Sequence, residues 1–284
     1  MKYFSVILLS VFSILSKDLY AHQNNLDFTY NNYVRFSSSL SLSPMTDDIQ
    51  SFVLSPTLEY KHTYDSTTYI YGMGGMIFSS LTRQGFESQH SIIPSNIIIG
   101  IGKSFNSKVG NQAAVSLFAT IPLALYWSDN IDSKKLAEFS YTSTISSQGW
   151  RNPYQWIINS LPLGVNFTQE INVHPTLSIK LNLIPSYIIA LNNRPSGFAS
   201  SQSFDIQYTI SDIMIACGMN HYLTTLNLEN NDKNQSSIGI GFYKKFTSDV
   251  LFFDGNINID MPNGWTSVTD KTYWGIRLGY TYSL

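Results

Sequence analysis

The stretch "LSIKLNLIPSYIIAL", residues 177 to 191, constrains the fold more than any other feature of the chain. Leu177, Ile179, Leu181, Leu183, Pro185, Tyr187, Ile189 and Leu191 share one parity, and Ser178, Lys180, Asn182, Ile184 and Ser186 share the other. A helix, with 3.6 residues per turn, would mix the two sets, whereas an extended strand separates them onto opposite faces. The same two-residue period runs through "VRFSSSLSL", "SFVLSPTLEYK", "VSLFATIPLALYW" and the closing "GIRLGYTYSL". A chain built this way must form a large sheet with one fatty face and one wet face.

Composition indicates where the fatty face goes. Charged residues make up 13% of the chain, against roughly 25% in ordinary soluble proteins. A water-soluble sandwich would need more charge on its outer faces. The polar parity here is mostly Ser, Thr, Asn and Gly, which suits a confined, hydrated lumen. A net charge of -2 leaves no basic stripe for nucleic acid. Bundled membrane helices would need runs of about 20 apolar residues, and mean hydropathy is only -0.04. The single cysteine, Cys217, cannot form an internal disulfide and reads as a small strand residue.

The periodicity predicts strands at 33–43, 50–61, 67–78, 92–105, 112–127, 154–168, 175–191, 201–210, 213–226, 236–246, 250–261 and 271–284. Their connections alternate in length. Short ones are "HTYDS", "NSKVGN", "QEINVH", "SD" and "TSD"; long ones are 79–91, 128–153, 192–200, 227–235 and 262–270, with 44–49 shorter than that rule suggests. This is the pattern of an all-β transmembrane antiparallel up-and-down β-barrel of about 12 strands, with short periplasmic turns and longer extracellular loops. An even strand number puts both termini in the periplasm.

The chain opens with Lys2, then an apolar stretch from Tyr3 to Leu15, then a more polar segment ending at Ala21. That layout reads as a secretory signal peptide, 1–21. A periplasmic segment, 22–32, and the barrel, 33–284, follow. Tyr60, Tyr69, Phe105, Phe167, Phe246, Phe253 and Tyr282 fall near the expected periplasmic ends, and Tyr126, Trp127, Trp156 and Trp274 near the outer ends. They are assigned to the aromatic girdles at the two lipid boundaries.

The last strand resembles the C-terminal assembly signal of bacterial outer-membrane barrels: Arg277, Gly279, Tyr282 and Leu284 occupy its polar, Gly, aromatic and terminal places. The family usually ends in Phe, so Leu284 departs from it. The resemblance implies export, location in the cell outer membrane of a Gram-negative bacterium, and insertion by the barrel-assembly machinery, with the last strand pairing to the first. Prolines within "LSPTL", "TIPLAL", "SLPLGV" and "LIPSYI" give a weaker likeness to outer-membrane transporters grouped with the phenol-degradation meta pathway. Physically, they are expected to mark bulges that bend the wall.

Charges of lumen parity are few: Arg35, Glu59, Lys61, Lys180, Asp205, Lys245, Asp254, Asp260 and Arg277. Counting back from the hairpin loops sets Arg35 opposite Glu59 and Asp254 opposite Arg277, as braces of the wall or as a selecting constriction. Lys103 and Lys244 have lipid parity near the periplasmic ends, where they can snorkel. In the longest loop, 128–153, Phe139, Tyr141, Trp150 and Arg151 are expected to pack on the rim, with a constriction in the mouth or contact with an external ligand as the alternatives.

An anion channel would want a ladder of Arg and Lys. The mixed signs instead point to small neutral or weakly polar solutes, carried by a monomer standing in outer-membrane lipid. The competing reading is a non-conducting surface barrel that binds or adheres through its loops. An enzyme is not expected. The outer-membrane phospholipase family relies on a His with Ser two residues later, and none of His22, His62, His90, His174 and His221 has one. Scattered histidines and a lone cysteine imply no metal and no cofactor.

Overall fold

The computed structural model describes residues 32–42, 49–65, 67–83, 88–106, 111–125, 131–149, 151–191, 196–225, 234–260 and 274–284. The expected signal peptide and nearly all of the segment after it, Tyr126, Trp127 and Trp150 lie outside the described residues.

The strands are β1 (Tyr33–Leu42), β2 (Ile49–Thr63), β3 (Thr68–Arg83), β4 (Gln89–Pro94), β5 (Ile97–Asn106), β6 (Gln112–Ile121), β7 (Ser160–His174), β8 (Leu177–Ala190), β9 (Gly197–Ile210), β10 (Ile213–Thr224), β11 (Asn234–Lys245), β12 (Asp249–Asp260) and β13 (Trp274–Ser283). They form a closed antiparallel barrel of twelve staves. β4 and β5 are two halves of the fourth stave, broken at Ser95 and Asn96, and both pair with β3. The first and last strands close the cylinder with Tyr33 opposite Ser283 and Leu42 opposite Trp274. The Leu284 amide donates to the Asn32 carbonyl at 3.1 Å beyond that register. Closure satisfies the backbone groups that an open edge would strand in hydrocarbon.

The fatty parity is outside. Phe36, Leu58, Ile101, Leu117, Phe204, Ile240 and Leu278 are all exposed on the outer wall, whereas their neighbours Ser37, Glu59, Gly102, Ser116, Asp205, Gly241 and Arg277 turn inward. Cys217 is exposed on the outer face of β10. Of the girdle candidates, Tyr60, Phe105, Phe167, Phe246, Phe253, Tyr282 and Trp274 are on the outside. Tyr69 and Trp156 are corrections. Tyr69 shares the lumen parity of Tyr71 and Met73, and Trp156 is fully buried inside the barrel.

The prolines act differently from the expected bulges. The β2–β3 ladder lapses between Leu54–Phe78 and Thr57–Gly75, around Pro56, and the β7–β8 ladder lapses between Gly164–Ser186 and Phe167–Leu183, around Pro185. In both cases the register resumes unshifted. Proline removes the donor, so hydrogen bonds are lost without an added residue. Register shifts lie elsewhere: one between Asn172 and His174, beside a turn, and one of a single residue at the break between β4 and β5, where Met76 faces Pro94 but Met73 faces Ile98.

At the short-turn end, the Asp65 carboxylate accepts the Thr67 and Thr68 amides at 2.7 and 2.6 Å. These bonds lower its pKa from 3.8 to about 2. Their contribution to the turn is therefore complete above the ordinary carboxylate value and is lost only as pH falls through about 2.

Candidate functional site

The segment expected on the rim enters the lumen. It forms a helix, α1 (Ile131–Ser147), followed by a 3-10 turn, Pro153–Gln155. Helical patterning did not announce α1 because hydroxyls and apolar groups are spread around it. A helix that is wet on every side suits a polar interior better than an apolar core. Its hydroxyls meet those of the wall: Thr144 Oγ1 lies 2.7 Å from Ser55 Oγ, Ser140 Oγ donates to Ser79 Oγ at 2.7 Å, and Ser147 Oγ to Ser39 Oγ at 3.3 Å. The Ser147 carbonyl accepts from Asn256 Nδ2 at 2.5 Å, and the Gly149 carbonyl from Ser237 Oγ at 2.7 Å.

Aromatic groups anchor the same segment. Tyr141 is buried and donates to the Pro94 carbonyl at 2.6 Å, and burial pushes its phenol pKa up. Phe139 packs against the same cluster. Tyr154 donates to the Ile184 carbonyl at 2.6 Å and packs edge-on to Tyr222. Trp156 Nε1 donates to Gln148 Oε1 at 3.0 Å. Asn96, at the break in the fourth stave, spans the gap. Its Nδ2 donates to the Ile157 carbonyl at 2.9 Å and its Oδ1 accepts from the Ala124 amide at 2.9 Å. Thus α1 stands against β1–β4, β12 and β13, and the following residues reach the walls opposite, forming a plug across the long-loop half of the lumen.

Below the plug the lumen is a cavity of about 810 Å³ that reaches the short-turn end at Thr63, His174 and Thr176 and stops inward at Arg151, Asn152 and Tyr154. Arg35, Glu59, Lys61, Lys180, Asp205 and Arg277 all line it, and Asp254 lies buried beside Arg277. Arg35 stands opposite Glu59 in register, 3.3 Å away, and Arg277 stands opposite Asp254, 2.6 Å away. Arg35 Nε also donates to Thr281 Oγ1 at 2.9 Å, and Tyr33 donates its phenol proton to Glu59. The Lys61 ammonium sits 4.4 Å above the Tyr69 ring. Lys180 is flanked in register by Glu170 on β7 and Asp205 on β9. Arg151, from the plug, lies 3.7 Å from Asp205. Lys245 ends β11, and the side chain of Asp260 lies outside the described residues. Outside the barrel, Lys244 pairs with Asp212 in the β9–β10 turn.

Sequence reasoning missed Glu170 and the Arg151–Asp205 contact. The first was read as part of the turn "QEINVH", but β7 runs on to His174 and carries Glu170 into the ladder opposite Lys180. The second needed the plug.

No protein-family model matches the sequence, and no curated protein sequence matches it. Solved structures do match. The COG4313 outer membrane channel from Pseudomonas putida F1 superposes with a TM-score of 0.60 over 92% of this chain and 98% of that one, at 9% identity. The beta domain of the Bordetella autotransporter BrkA gives 0.52 over 89% and 100%, at 7% identity. The NanC porin gives 0.50 over 88% and 100%, at 8% identity. The fold is that of an outer-membrane β-barrel. At these identities the likeness is one of architecture, so the chemistry of this outer-membrane barrel has to be read from its own side chains.

One outward-facing pair bears on catalysis. His221 Nδ1 and Ser236 Oγ lie 2.8 Å apart across β10 and β11, a neighbourhood invisible to a search for Ser two residues after His. Ser236 is only 2% exposed, so its hydroxyl is tucked under the imidazole instead of being presented to a substrate. On a lipid-facing wall, the two polar groups satisfy each other.

The Arg277–Asp254 pair ties β13 to β12 across the ladder. Asp254 is 4% exposed, and removing one partner of a buried ion pair costs about 3–5 kcal/mol because the other charge is left uncompensated. Arg277→Ala is expected to lower the temperature at which the folded barrel loses its compact migration on an unboiled gel. Arg277→Met with Asp254→Leu should recover most of the loss. Full stability in the single variant would show that the pair braces nothing.

Proposed function

We propose that this barrel is a gated channel of the bacterial outer membrane for small neutral or weakly polar solutes. The observation that carries this reading is the cavity of about 810 Å³, open at the short-turn end and ending on the plug residues Arg151–Tyr154. In the outer membrane that end faces the periplasm. The neutral preference follows from pairing: Arg35, Arg277 and Arg151 each have a carboxylate within 4 Å, and Lys180 has one on either side in register. Among the described residues no free ladder of one sign is left to select ions.

The plug suits a gate because hydroxyl and amide hydrogen bonds hold much of it. Each contributes about 0.5–1.5 kcal/mol net, since water replaces it on release. The same reading includes export by the leader at 1–21, insertion through the barrel-assembly machinery with the strand that ends in Leu284, and action as a monomer in outer-membrane lipid.

Closure at the long-loop end favours one competing reading, a non-conducting barrel that binds or adheres through its loops. Planar-bilayer recording of the refolded full chain separates the two. The channel reading expects brief ion-conducting steps from a mostly closed state. A correctly folded barrel silent at every voltage would favour the adhesive reading.

A further inference from the structure

Four of the lumen aromatics share an arrangement that the channel reading does not use. Tyr71 stands opposite Gly100, Tyr69 opposite Gly102, Phe118 opposite Gly164 and Phe252 opposite Gly279. A side-chain carbon on any of these glycines would run into the facing ring. Each ring therefore lies flat along the wall and shows a face to the cavity. Gly100 is also opposite Phe118 on its other side, so Tyr71, Gly100, Phe118 and Gly164 form one row across four consecutive staves.

Some of these faces are occupied. The Arg277 and Arg35 guanidinium carbons lie 5.0 and 5.7 Å from the Phe252 centroid, and Lys61 covers Tyr69. No cation of the described residues is seated over Tyr71 or Phe118. Phe118 is only 7% exposed, with the Tyr154 ring 5.5 Å from its own, so the open face is that of Tyr71, which lines the cavity.

The next three staves, β7–β9, are of opposite character. Asn166, Thr168, Asn182, Ser203 and Gln207 face the same cavity. Asn182 Oδ1 accepts from Thr168 Oγ1 at 3.1 Å, which leaves its amide N–H groups for another acceptor. Asp205 Oδ1 is buried and accepts no hydrogen bond, with Arg151 Nη2 at 3.7 Å as its cation. The cavity thus sets the Tyr71 ring against the amide donors of Asn182 and its neighbours, at a volume within the range of about 300–1,000 Å³ typical of small-ligand sites.

A ligand matching both walls needs a C–H face of partial positive charge for the ring, a periphery of hydroxyls for the amides, and no net charge. We infer that the vestibule is a binding site for a neutral saccharide of one or two rings, with Tyr71 stacking on the pyranose and the β7–β9 wall holding its hydroxyls. The inference rests on the channel reading for the side from which the sugar arrives, while the binding itself does not need conduction.

Titration calorimetry of the refolded full-length barrel in detergent, with maltose as probe, tests it. Saturable binding is expected, weakened roughly two- to tenfold by Tyr71→Ala, the loss for one stacked ring, and weakened also by Asn182→Leu. Compact migration on an unboiled gel shows that each variant is folded. A single-site replacement, Tyr71→Phe, retains the ring and should retain binding. Maltose giving no heat while phenol binds, or maltose affinity unchanged in both weakening variants, overturns the assignment. Ion steps in salt with no maltose binding would sink the saccharide site and leave the channel standing. Maltose binding without steps from any form of the barrel would do the reverse.

Discussion

Excising Ile131–Ser147 and joining the flanks with a short Gly-Ser linker should turn a mostly closed barrel into a steadily open one, with mean current at least about tenfold above the full chain, as when a constriction is taken out of a wide lumen. The wall should survive. The strands close on each other through backbone ladders that do not involve α1, and the hydroxyls that α1 now covers, on Ser39, Ser55 and Ser79, would face water. The apolar cluster around Tyr141 and Ile145 is lost with the helix, so the melting temperature should fall while the barrel stays closed on itself. Unchanged current in a compact, folded deletion variant would mean that the lumen is blocked elsewhere.

A gentler change should act in the same direction. Gly275 lies on β13 at the point where α1 ends, and a Cβ there would run into the backbone of Ser147. The helix end must shift, since the obstacle is main chain and not the tip of a flexible side chain. Overpacking of this kind costs about 1–3 kcal/mol, and about 1.4 kcal/mol is tenfold in an equilibrium constant. Gly275→Ala should therefore shift the closed-to-open ratio by roughly fivefold to more than a hundredfold, read as open probability in single-channel records. Gly255→Ala is the control. It faces out of the barrel, and the nearest atom to its added carbon is a carbonyl at an ordinary 3.7 Å. Equal open probability in the two variants would contradict the plug's seat on β13.

Much of the wall was legible because the strand period is two and hydrocarbon on one side enforces it. "LSIKLNLIPSYIIAL" set the parity of β8, and counting from the loops 44–49 and 262–270 placed Arg35 opposite Glu59 and Asp254 opposite Arg277, where the registers have them. Legibility failed where both faces of a strand read alike. Along β3, Ile70, Met76 and Phe78 are outward while Tyr69, Tyr71 and Met73 are inward, so Tyr69 was taken for a girdle residue. It failed again at Trp156, which a strand starting at 154 would set in a girdle. β7 starts only at Ser160, because the chain before it is still inside the barrel.

The helix was the larger omission. Its Ser and Thr residues match a wall of Ser and Thr, and neither surface has a period to read alone. The aromatic and glycine residues paired across strands were visible as residues, but not as pairs. Gly100, Gly102 and Gly164 become seats for rings only once the register is known.

The central claim, that α1 sits inside the barrel and closes its outer half in the membrane, is tested most directly by a cross-link. Ser55 Oγ and Thr144 Oγ1 are 2.7 Å apart, so Ser55→Cys with Thr144→Cys, in a Cys217→Ala background, brings two thiols together only if the helix is seated. The account predicts that a disulfide forms in membrane vesicles under mild oxidation, that ion steps then disappear, and that a reductant restores them. Thiols that stay free under the same oxidation, or a formed disulfide that leaves the current untouched, would contradict it.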